Sequence, residues 1–335
     1  FWPLSRQDRP KQLLSIAGDR SLLVQTVERL APKVSPDNIW VVTTRRLVEQ
    51  IRSALPSVPV DQILAEPEGR NTAAAIGWSI RCMPRALREG VIAVLPSDHR
   101  VRDEATFRRV LGIAARAAQT QDRIITLGVK PRWAETGYGY LEVGSILDSQ
   151  TDLRQVVRFC EKPDSKTAEE FVAAGNFLWN AGMFVFRGSS LLAALDRFEP
   201  ELADGLRRIE ERPELLEDLY RQLPAKSIDY AVMERLGSLA TLPLDCGWSD
   251  LGSWPALMEE LGLNEQGSVE VGNVVALDST DNLLYADQGT IAVLGVEGLV
   301  VVRTNDAVLV VPVDRAQQVR RLIAELERRG LEHLL

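Results

Sequence analysis

Two aspartates lie in loops where a carboxylate could do chemistry. Asp98 directly follows an apolar run at residues 91–95, and Asp250 lies in a turn rich in Gly, Ser and Trp. Two carboxylates, combined with phosphate oxygens and water, form the oxygen-rich site that Mg2+ prefers. An isolated loop aspartate more commonly caps a helix or forms an Asx-turn, and a helix is predicted shortly after Asp98, from Glu104. The residue types alone allow either role.

Lysine is the second marker, because it is rare in this chain. Only six of the 39 basic residues are lysines. A lysine ammonium is a compact point charge that suits phosphate, unlike the planar arginine fork. Lys11 lies in Pro-Lys-Gln before a helix and Lys162 in Glu-Lys-Pro after a strand, so both are candidate phosphate ligands. Lys33 and Lys166 are interpreted as ordinary surface lysines.

Composition excludes several classes of protein. The 335 residues suggest about two domains. A net charge of −8 argues against nucleic-acid binding, so we expect any phosphate to bind in a local pocket. No apolar run approaches the roughly 18–20 residues of a membrane helix, so no membrane contact is expected. Three widely spaced cysteines (Cys82, Cys160 and Cys246) predict free thiols in a reducing, cytoplasmic compartment, and two histidines are too few for a His-rich metal centre.

The elements that must position these residues follow from the hydrophobic pattern. Strand-like runs at 39–42, 60–64, 91–95 and 124–127 alternate with helical segments. This pattern predicts an α/β, Rossmann-like fold with a mixed, mostly parallel sheet. Ligands of such sheets bind beyond the carboxyl ends of the strands, where Pro96-Ser97-Asp98-His99 falls.

The pattern changes after residue 262. Short β-branched runs separated by Gly, Asp and Asn predict a small all-β unit resembling a β-helix or roll, followed by a charged helix at 316–329 that ends before Gly330. We therefore predict a catalytic domain over residues 1–262 and a small domain over 263–335. The β unit and its helix could pack against a second copy, so a homodimer is expected.

Eight segments occur in an order that resembles one enzyme family. They are Phe1-Trp2-Pro3-Leu4-Ser5-Arg6 with Pro10-Lys11-Gln12, Glu66 to Thr72, Pro96 to His99, Thr136 to Tyr140, Phe159 to Pro163, Trp179 to Phe184, Lys226 to Glu234, and Gly247 to Trp254. Each is weak alone, but together they span almost the whole chain. The chain resembles the mannose-1-phosphate guanylyltransferases (GDP-mannose pyrophosphorylases).

The resemblance implies a GT-A-like nucleotidyltransferase that makes GDP-mannose and diphosphate from GTP and mannose 1-phosphate with Mg2+. In that family a first strand and a Gly-rich loop precede the Phe-Trp-Pro-Leu segment, so we expect both upstream of Phe1, and no appended isomerase domain. The resemblance implies catalytic roles for Lys11, Asp98, Lys162 and Asp250, with Asp98 and Asp250 as metal ligands. It implies nucleotide binding by Arg6, Lys11, Glu66, Arg70, Asn71, Thr72 and Asp98, and sugar-phosphate binding by Gly139, Glu161, Lys162 and Asn180.

Several of these roles have simpler alternatives. Arg6 could be a surface arginine, Glu161 could pair with an arginine, and Gly139 could only serve a turn. Asn71 and Thr72 could cap the following helix, and the guanine could be read by Glu66, Arg70 or Asn71. The preference for mannose rests on the resemblance alone. Other substrate pairs, or a catalytically silent nucleotide-sugar-binding subunit, are the competing functions.

Overall fold

The computed structural model describes residues 1–31 and 33–335, which form two compact units. The first unit comprises Phe1–Glu28, Ser97–Arg100 and Ser249–Leu335, and the second comprises Arg29–Pro96 and Val101–Trp248. The predicted domain boundary after residue 262 rests on the change of sequence pattern and stays a prediction.

Helices and strands alternate through most of the chain. The helices are α1 (Leu22–Glu28), α2 (Val48–Ala54), α3 (Asn71–Cys82), α4 (Arg85–Arg88), α5 (Glu104–Gln121), α6 (Ser165–Ala174), α7 (Gly188–Phe198), α8 (Pro200–Glu211), α9 (Leu216–Gln222), α10 (Ile228–Ala231), α11 (Trp254–Leu261) and α12 (Val319–Arg328). The strands are β1 (Val41–Thr44), β2 (Ile63–Glu66), β3 (Val91–Val94), β4 (Arg100–Val101), β5 (Ile125–Val129), β6 (Gly139–Asp148), β7 (Leu153–Glu161), β8 (Phe177–Arg187), β9 (Ala240–Pro243), β10 (Trp248–Ser249), β11 (Val269–Leu277), β12 (Leu283–Leu294), β13 (Leu299–Arg303) and β14 (Val308–Pro312).

The second unit is built on a six-stranded mixed sheet with the order β3-β8-β5-β9-β7-β6. The α/β class with a mixed sheet is confirmed, but the expectation that parallel pairing predominates is wrong for this sheet. Only β5 and β9 pair in parallel there, while β1 and β2 form a separate parallel pair. β8 runs antiparallel to β3, β5 and β6. The connection of residues 149–152 between β6 and β7 is too short for a crossover, so these strands also pair antiparallel.

β8 is the strand around which this unit packs. Its side chains alternate between two hydrophobic clusters, with Phe184 and Phe186 in one and Trp179, Met183 and Val185 in the other. Alternation of this kind follows from the two-residue period of a strand that is covered on both faces.

The first unit contains the small C-terminal sheet, with the order β11-β12-β13-β14. β11, β12 and β13 stack in parallel, as the turns of a β-helix do, whereas β14 returns antiparallel. The predicted β-helix-like unit is therefore confirmed. Trp2 and Leu4 share a hydrophobic cluster with Trp254, Val300 and Val302, so the amino-terminal segment packs with this sheet.

Replacing Phe186 by Ala should strongly destabilise the fold. The side chain is fully buried, so the cavity and lost transfer energy should lower the free energy of unfolding by about 3–5 kcal/mol. Val157→Ala on β7 is the control, since Val157 is 61% exposed and its loss should change stability by less than about 0.5 kcal/mol. Urea unfolding followed by circular dichroism measures both, and equal effects would contradict the role given to β8.

Candidate active site

Three distant segments of the first unit meet at Lys11. Its Nζ donates a hydrogen bond of 2.9 Å to Oδ2 of Asp98 and another to the backbone carbonyl of Asp250. Lys11 begins a single 3-10 turn directly after Pro10. The structure therefore brings Lys11 next to the Asp98 carboxylate and the Asp250 backbone, so three residues that the sequence singled out lie together in the first unit.

The surroundings of Asp98 favour its ionised form. Burial alone would raise the pKa of this carboxyl, but the Lys11 ammonium and His99 outweigh it, and the net pKa lies below the ordinary value. Asp98 does not cap the helix that follows it, because the cap of α5 is Asp103, whose Oδ1 accepts the Thr106 N–H at 2.9 Å. The capping alternative for Asp98 is thus removed.

Asp250 does form the local turn that its sequence allowed. Its Oδ1 accepts the Gly252 N–H at 2.9 Å, two residues on, which is an Asx-turn. A carboxylate offers about four acceptor positions, so this bond leaves metal binding open. Within residues 1–31 and 33–335, no group of three or more His, Cys, Asp or Glu side chains is arranged around one metal position. Two carboxylates fit Mg2+, which usually takes its other ligands from water and substrate phosphates.

Arg6 has a partner inside the first unit. Its guanidinium binds both carboxylate oxygens of Asp306, at 2.6 and 3.0 Å, and its Nε donates to the Pro3 carbonyl at 2.8 Å. These contacts give Arg6 a structural role, and its contact with nucleotide stays a prediction.

The predicted sugar-phosphate residues lie together in the second unit. Lys162 Nζ is 3.5 Å from Oε1 of Glu161, in an ion pair that leaves the lysine largely exposed. Gly139 pairs with Glu161 across β6 and β7, and a Cβ at Gly139 would lie 2.5 Å from Oε2 of Glu161. A glycine is therefore needed there for the Glu161 carboxyl to occupy its position.

Asn180, on β8, is held by three hydrogen bonds. Its Oδ1 accepts from Thr126 Oγ1 at 2.7 Å and from the Gly182 N–H at 3.2 Å, while its Nδ2 donates to Oδ1 of Asp229 at 3.1 Å. The sequence suggested that this amide offers both a donor and an acceptor. In the structure the acceptor is used within the protein, so the second N–H of Nδ2 is what remains for a ligand.

Asp229 and Glu234 were missed as members of this cluster. Asp229 holds Asn180, and Oε1 of Glu234 accepts the backbone N–H of Glu161 at 2.9 Å. Both lie in the segment Lys226 to Glu234, which was recognised only as a motif. The one available signal was the presence of two acids in and directly after a short helical segment.

The pKa values of two carboxyl groups in this cluster are raised. Burial, reinforced by the Asp229 carboxylate, raises the pKa of Glu161 to about 7. The pKa of Asp229 is also raised, mainly by burial. Glu161 can therefore act as donor or acceptor near neutral pH.

The predicted base-reading segment joins β2 to α3. Tyr220 donates a hydrogen bond of 2.5 Å to Oε1 of Glu66, at the end of β2. Arg70 donates to the backbone carbonyl of Arg221. Asn71 begins α3 with a φ of +65°, an unusual conformation that asparagine tolerates better than most residues.

Asn71 contributes to the start of α3 as the simpler alternative expects, because its Oδ1 accepts the backbone N–H of Thr72 at 2.8 Å. The helix begins at Asn71 itself, and the residue before it makes no capping hydrogen bond with its side chain. Thr72 Oγ1 instead accepts the backbone N–H of Ile228 at 2.8 Å, which ties this segment to α10. Thr72 therefore braces a loop, and ligand contacts by Asn71 and Thr72 stay predictions.

The chain combines an α/β unit built on a mixed sheet with a unit that carries the Lys11–Asp98 cluster and a β-helix-like sheet, as expected for a nucleotidyltransferase with a β-helix domain. The family model for nucleotidyl transferase matches residues 1–266, and the model described as MannoseP isomerase/GMP-like beta-helix domain matches residues 272–326. The chain belongs to the nucleotidyl transferase family and is an enzyme of that class.

Two curated proteins and one solved structure are similar to this chain over nearly its whole length. The xanthan biosynthesis protein XanB of Xanthomonas campestris pv. campestris is 40% identical over 340 residues, covering 98% of this chain and 71% of XanB. A mannose-1-phosphate guanylyltransferase of Salmonella muenchen is 35% identical, covering 98% of this chain and 71% of that protein. A crystal structure from Thermus thermophilus, described as a mannose-1-phosphate geranyltransferase, matches with a TM-score of 0.89 and 35% identity over 98% of this chain and 95% of its own.

No helix within the part of the chain that the structure describes is long and apolar enough to cross a membrane. Cys82, Cys160 and Cys246 are all free thiols.

Replacing Asp229 by Asn should lower the pKa of Glu161. Because the folded-state pKa is raised from 4.5 to about 7, the contribution of Glu161 to stability is full below about pH 4.5 and is lost as the pH rises through about 7. Removing the Asp229 charge should lower the pKa of Glu161, so the pH range over which this stability is lost should become narrower.

Carboxyl 13C NMR titration of both proteins measures the midpoint. The internal control is Asp164, whose pKa is lowered by hydrogen bonds from Thr167 and which should not respond. An unchanged Glu161 midpoint in Asp229→Asn would contradict the coupling of the two carboxyl groups.

Proposed function

We propose that this enzyme transfers the guanylyl group of GTP to mannose 1-phosphate, producing GDP-mannose and diphosphate. The chemistry is supported by the cluster of Lys11, Asp98 and the Asp250 carbonyl. In this cluster an ammonium group that could bind phosphate lies next to two residues that carry carboxylates. The substrates are supported by the identity of 35% to the Salmonella mannose-1-phosphate guanylyltransferase across 98% of the chain.

The chemical step needs charge placement more than proton transfer. A sugar 1-phosphate is mostly dianionic at neutral pH, because its second pKa is about 6, so its oxygen can attack the α-phosphorus without a general base. We propose that Lys162 binds the sugar phosphate and that Lys11 binds the nucleotide phosphates, because the reaction needs cations to offset the charge of its two anionic substrates. Attack is direct, and no covalent nucleotidyl-enzyme forms.

Mg2+ would be held by Asp98 and Asp250, where it would neutralise charge on the nucleotide phosphates and the leaving diphosphate. The protein's own contribution is to keep Asp98 ionised, through Lys11 and His99, and to fix Asp250 in its Asx-turn.

The sugar would be recognised by the second-unit cluster. We propose that Glu161 binds sugar hydroxyls, that Asn180 donates its remaining N–H, and that Gly139 allows close backbone approach. For the base, we propose that Glu66 accepts from the N2 amino group of guanine, which adenine lacks, with Arg70 and Asn71 as the alternative readers.

We also propose a cytoplasmic homodimer that binds no nucleic acid. Three free cysteines suit a reducing compartment. In the C-terminal sheet, Val275, Leu277, Leu294, Val308 and Val310 are between 49% and 69% exposed. Apolar surface of this kind is what a second copy would cover.

Substrate pairing tests the proposed function directly. Diphosphate release with Mg2+ should be measured for GTP, ATP, UTP and dTTP, each with mannose, glucose and N-acetylglucosamine 1-phosphates. Turnover should be confined mainly to GTP with mannose 1-phosphate. Turnover with another pair would overturn the substrates, and GDP-mannose binding without any turnover would overturn the catalytic role proposed for the cluster.

Replacing Lys162 by Met should weaken use of the sugar phosphate. Loss of one charged hydrogen bond to phosphate should reduce kcat/KM for mannose 1-phosphate roughly tenfold, since Lys162 is largely exposed. Lys166→Met, on the adjacent helix α6, removes the same charge and should leave kcat/KM unchanged. Equal losses in the two variants would indicate general electrostatics instead of a specific contact.

A further inference from the structure

Helix α9 contacts the base-reading segment through side chains that the sequence motifs do not include. Tyr220, near its end, is fully buried and donates to Oε1 of Glu66 at 2.5 Å. The backbone carbonyl of the next residue, Arg221, accepts a hydrogen bond from the Arg70 guanidinium. Glu217, also on α9, forms an ion pair with Arg45, which follows β1. Three contacts thus join this one helix to the segments that end β1 and β2.

The Tyr220 hydroxyl has one chemical role available to it. Burial and the neighbouring Glu66 raise the pKa of Tyr220, so the phenol stays protonated and acts as the donor. Its bond occupies Oε1 of Glu66 and fixes the plane of the carboxyl group. The ring packs edge-on against Trp78, with centroids 5.3 Å apart, so the position of the hydroxyl does not depend on the bond itself.

The bond also lowers the pKa of Glu66 relative to what burial alone would give. Burial raises the pKa of this carboxyl, whereas hydrogen bonds from Tyr220 and from the Arg70 backbone oppose the rise. The charged side chains on the segments next to it are paired with each other: Arg70 with Glu68 on its own segment, and Glu217 of α9 with Arg45 and Arg221. A protonated Glu66 would present a donor where a guanine amino group needs an acceptor.

We propose that Tyr220 is a positioning residue for nucleotide specificity: its hydroxyl holds the Glu66 carboxyl in the orientation that accepts the guanine N2 amino group. This inference rests on the proposed function and assigns the base reading to Glu66 instead of Arg70 or Asn71. Tyr220 acts through Glu66 and does not touch the substrate.

The experiment is a double-mutant cycle of Tyr220→Phe and Glu66→Gln, with kcat and KM measured for GTP and ATP at saturating mannose 1-phosphate. Phenylalanine keeps the ring contact with Trp78, and thermal unfolding checks that each variant is folded. Tyr285→Phe, which removes another largely buried tyrosine hydroxyl, in the C-terminal sheet, is the matched control.

Tyr220→Phe should raise KM for GTP and lower the preference for GTP over ATP about tenfold, with kcat nearly unchanged. The acidic limb of kcat/KM for GTP should move to higher pH, because the lost hydrogen bond lets the pKa of Glu66 rise. Adding Tyr220→Phe to Glu66→Gln should cost little more than Glu66→Gln alone, because both substitutions disturb one acceptor.

The outcomes separate this inference from the proposed function. A wild-type enzyme that prefers GTP, combined with variants that lose GTP and ATP use in parallel, would overturn the inference and leave the function intact. Independent, multiplying effects of the two substitutions would do the same. A wild-type enzyme without a preference for GTP would overturn both, and this result appears before any variant is made.

Discussion

The second unit depends on the burial of β8 on both faces. Its side chains pack alternately into two hydrophobic clusters, and it pairs with β3, β5 and β6. A strand held in this way has little freedom to shift, since a one-residue slip would exchange its two faces. Asn180 lies in β8 and is bonded to Thr126 on the neighbouring β5. The position of Asn180 is therefore set by the packing and pairing of β8.

The two units use charge in opposite ways. In the first, an ammonium between Asp98 and the Asp250 carbonyl favours an ionised carboxylate, which suits phosphates and a hard cation. In the second, buried acids gather around Asn180, and the pKa values of Glu161 and Asp229 rise. A carboxyl group that titrates near neutrality suits hydroxyl groups, because it can both donate and accept. The two clusters therefore differ in the protonation that their carboxyl groups favour at neutral pH.

The support of the site residues comes from elements outside the recognisable motifs. Tyr220 on α9 holds Glu66, and Thr126 on β5 holds Asn180. Such supporting side chains decide which acceptors and donors of a ligand-facing residue remain for substrate. Within the described part of the chain, Asn180 keeps one N–H donor that no protein group uses, and the Glu66 carboxyl has its Oε1 bonded to Tyr220. The hydrogen-bonding groups that Asn180 and Glu66 keep free are consequently set by pairs of residues and not by the motif positions alone.

The sequence by itself determined the periodic elements, the order of the motifs, and the loop positions of Lys11, Asp98 and Asp250, because these depend on local spacing and residue type. The tertiary structure alone decided that β8 runs antiparallel, that Asp306 binds Arg6, and that Asp103 instead of Asp98 caps α5. It also decided the partners of Asn180 and Glu66, Asp229 and Tyr220, which lie far away in the chain. Hydrogen bonds between such distant residues leave no periodic signal, since they depend on how the sheet brings the segments together.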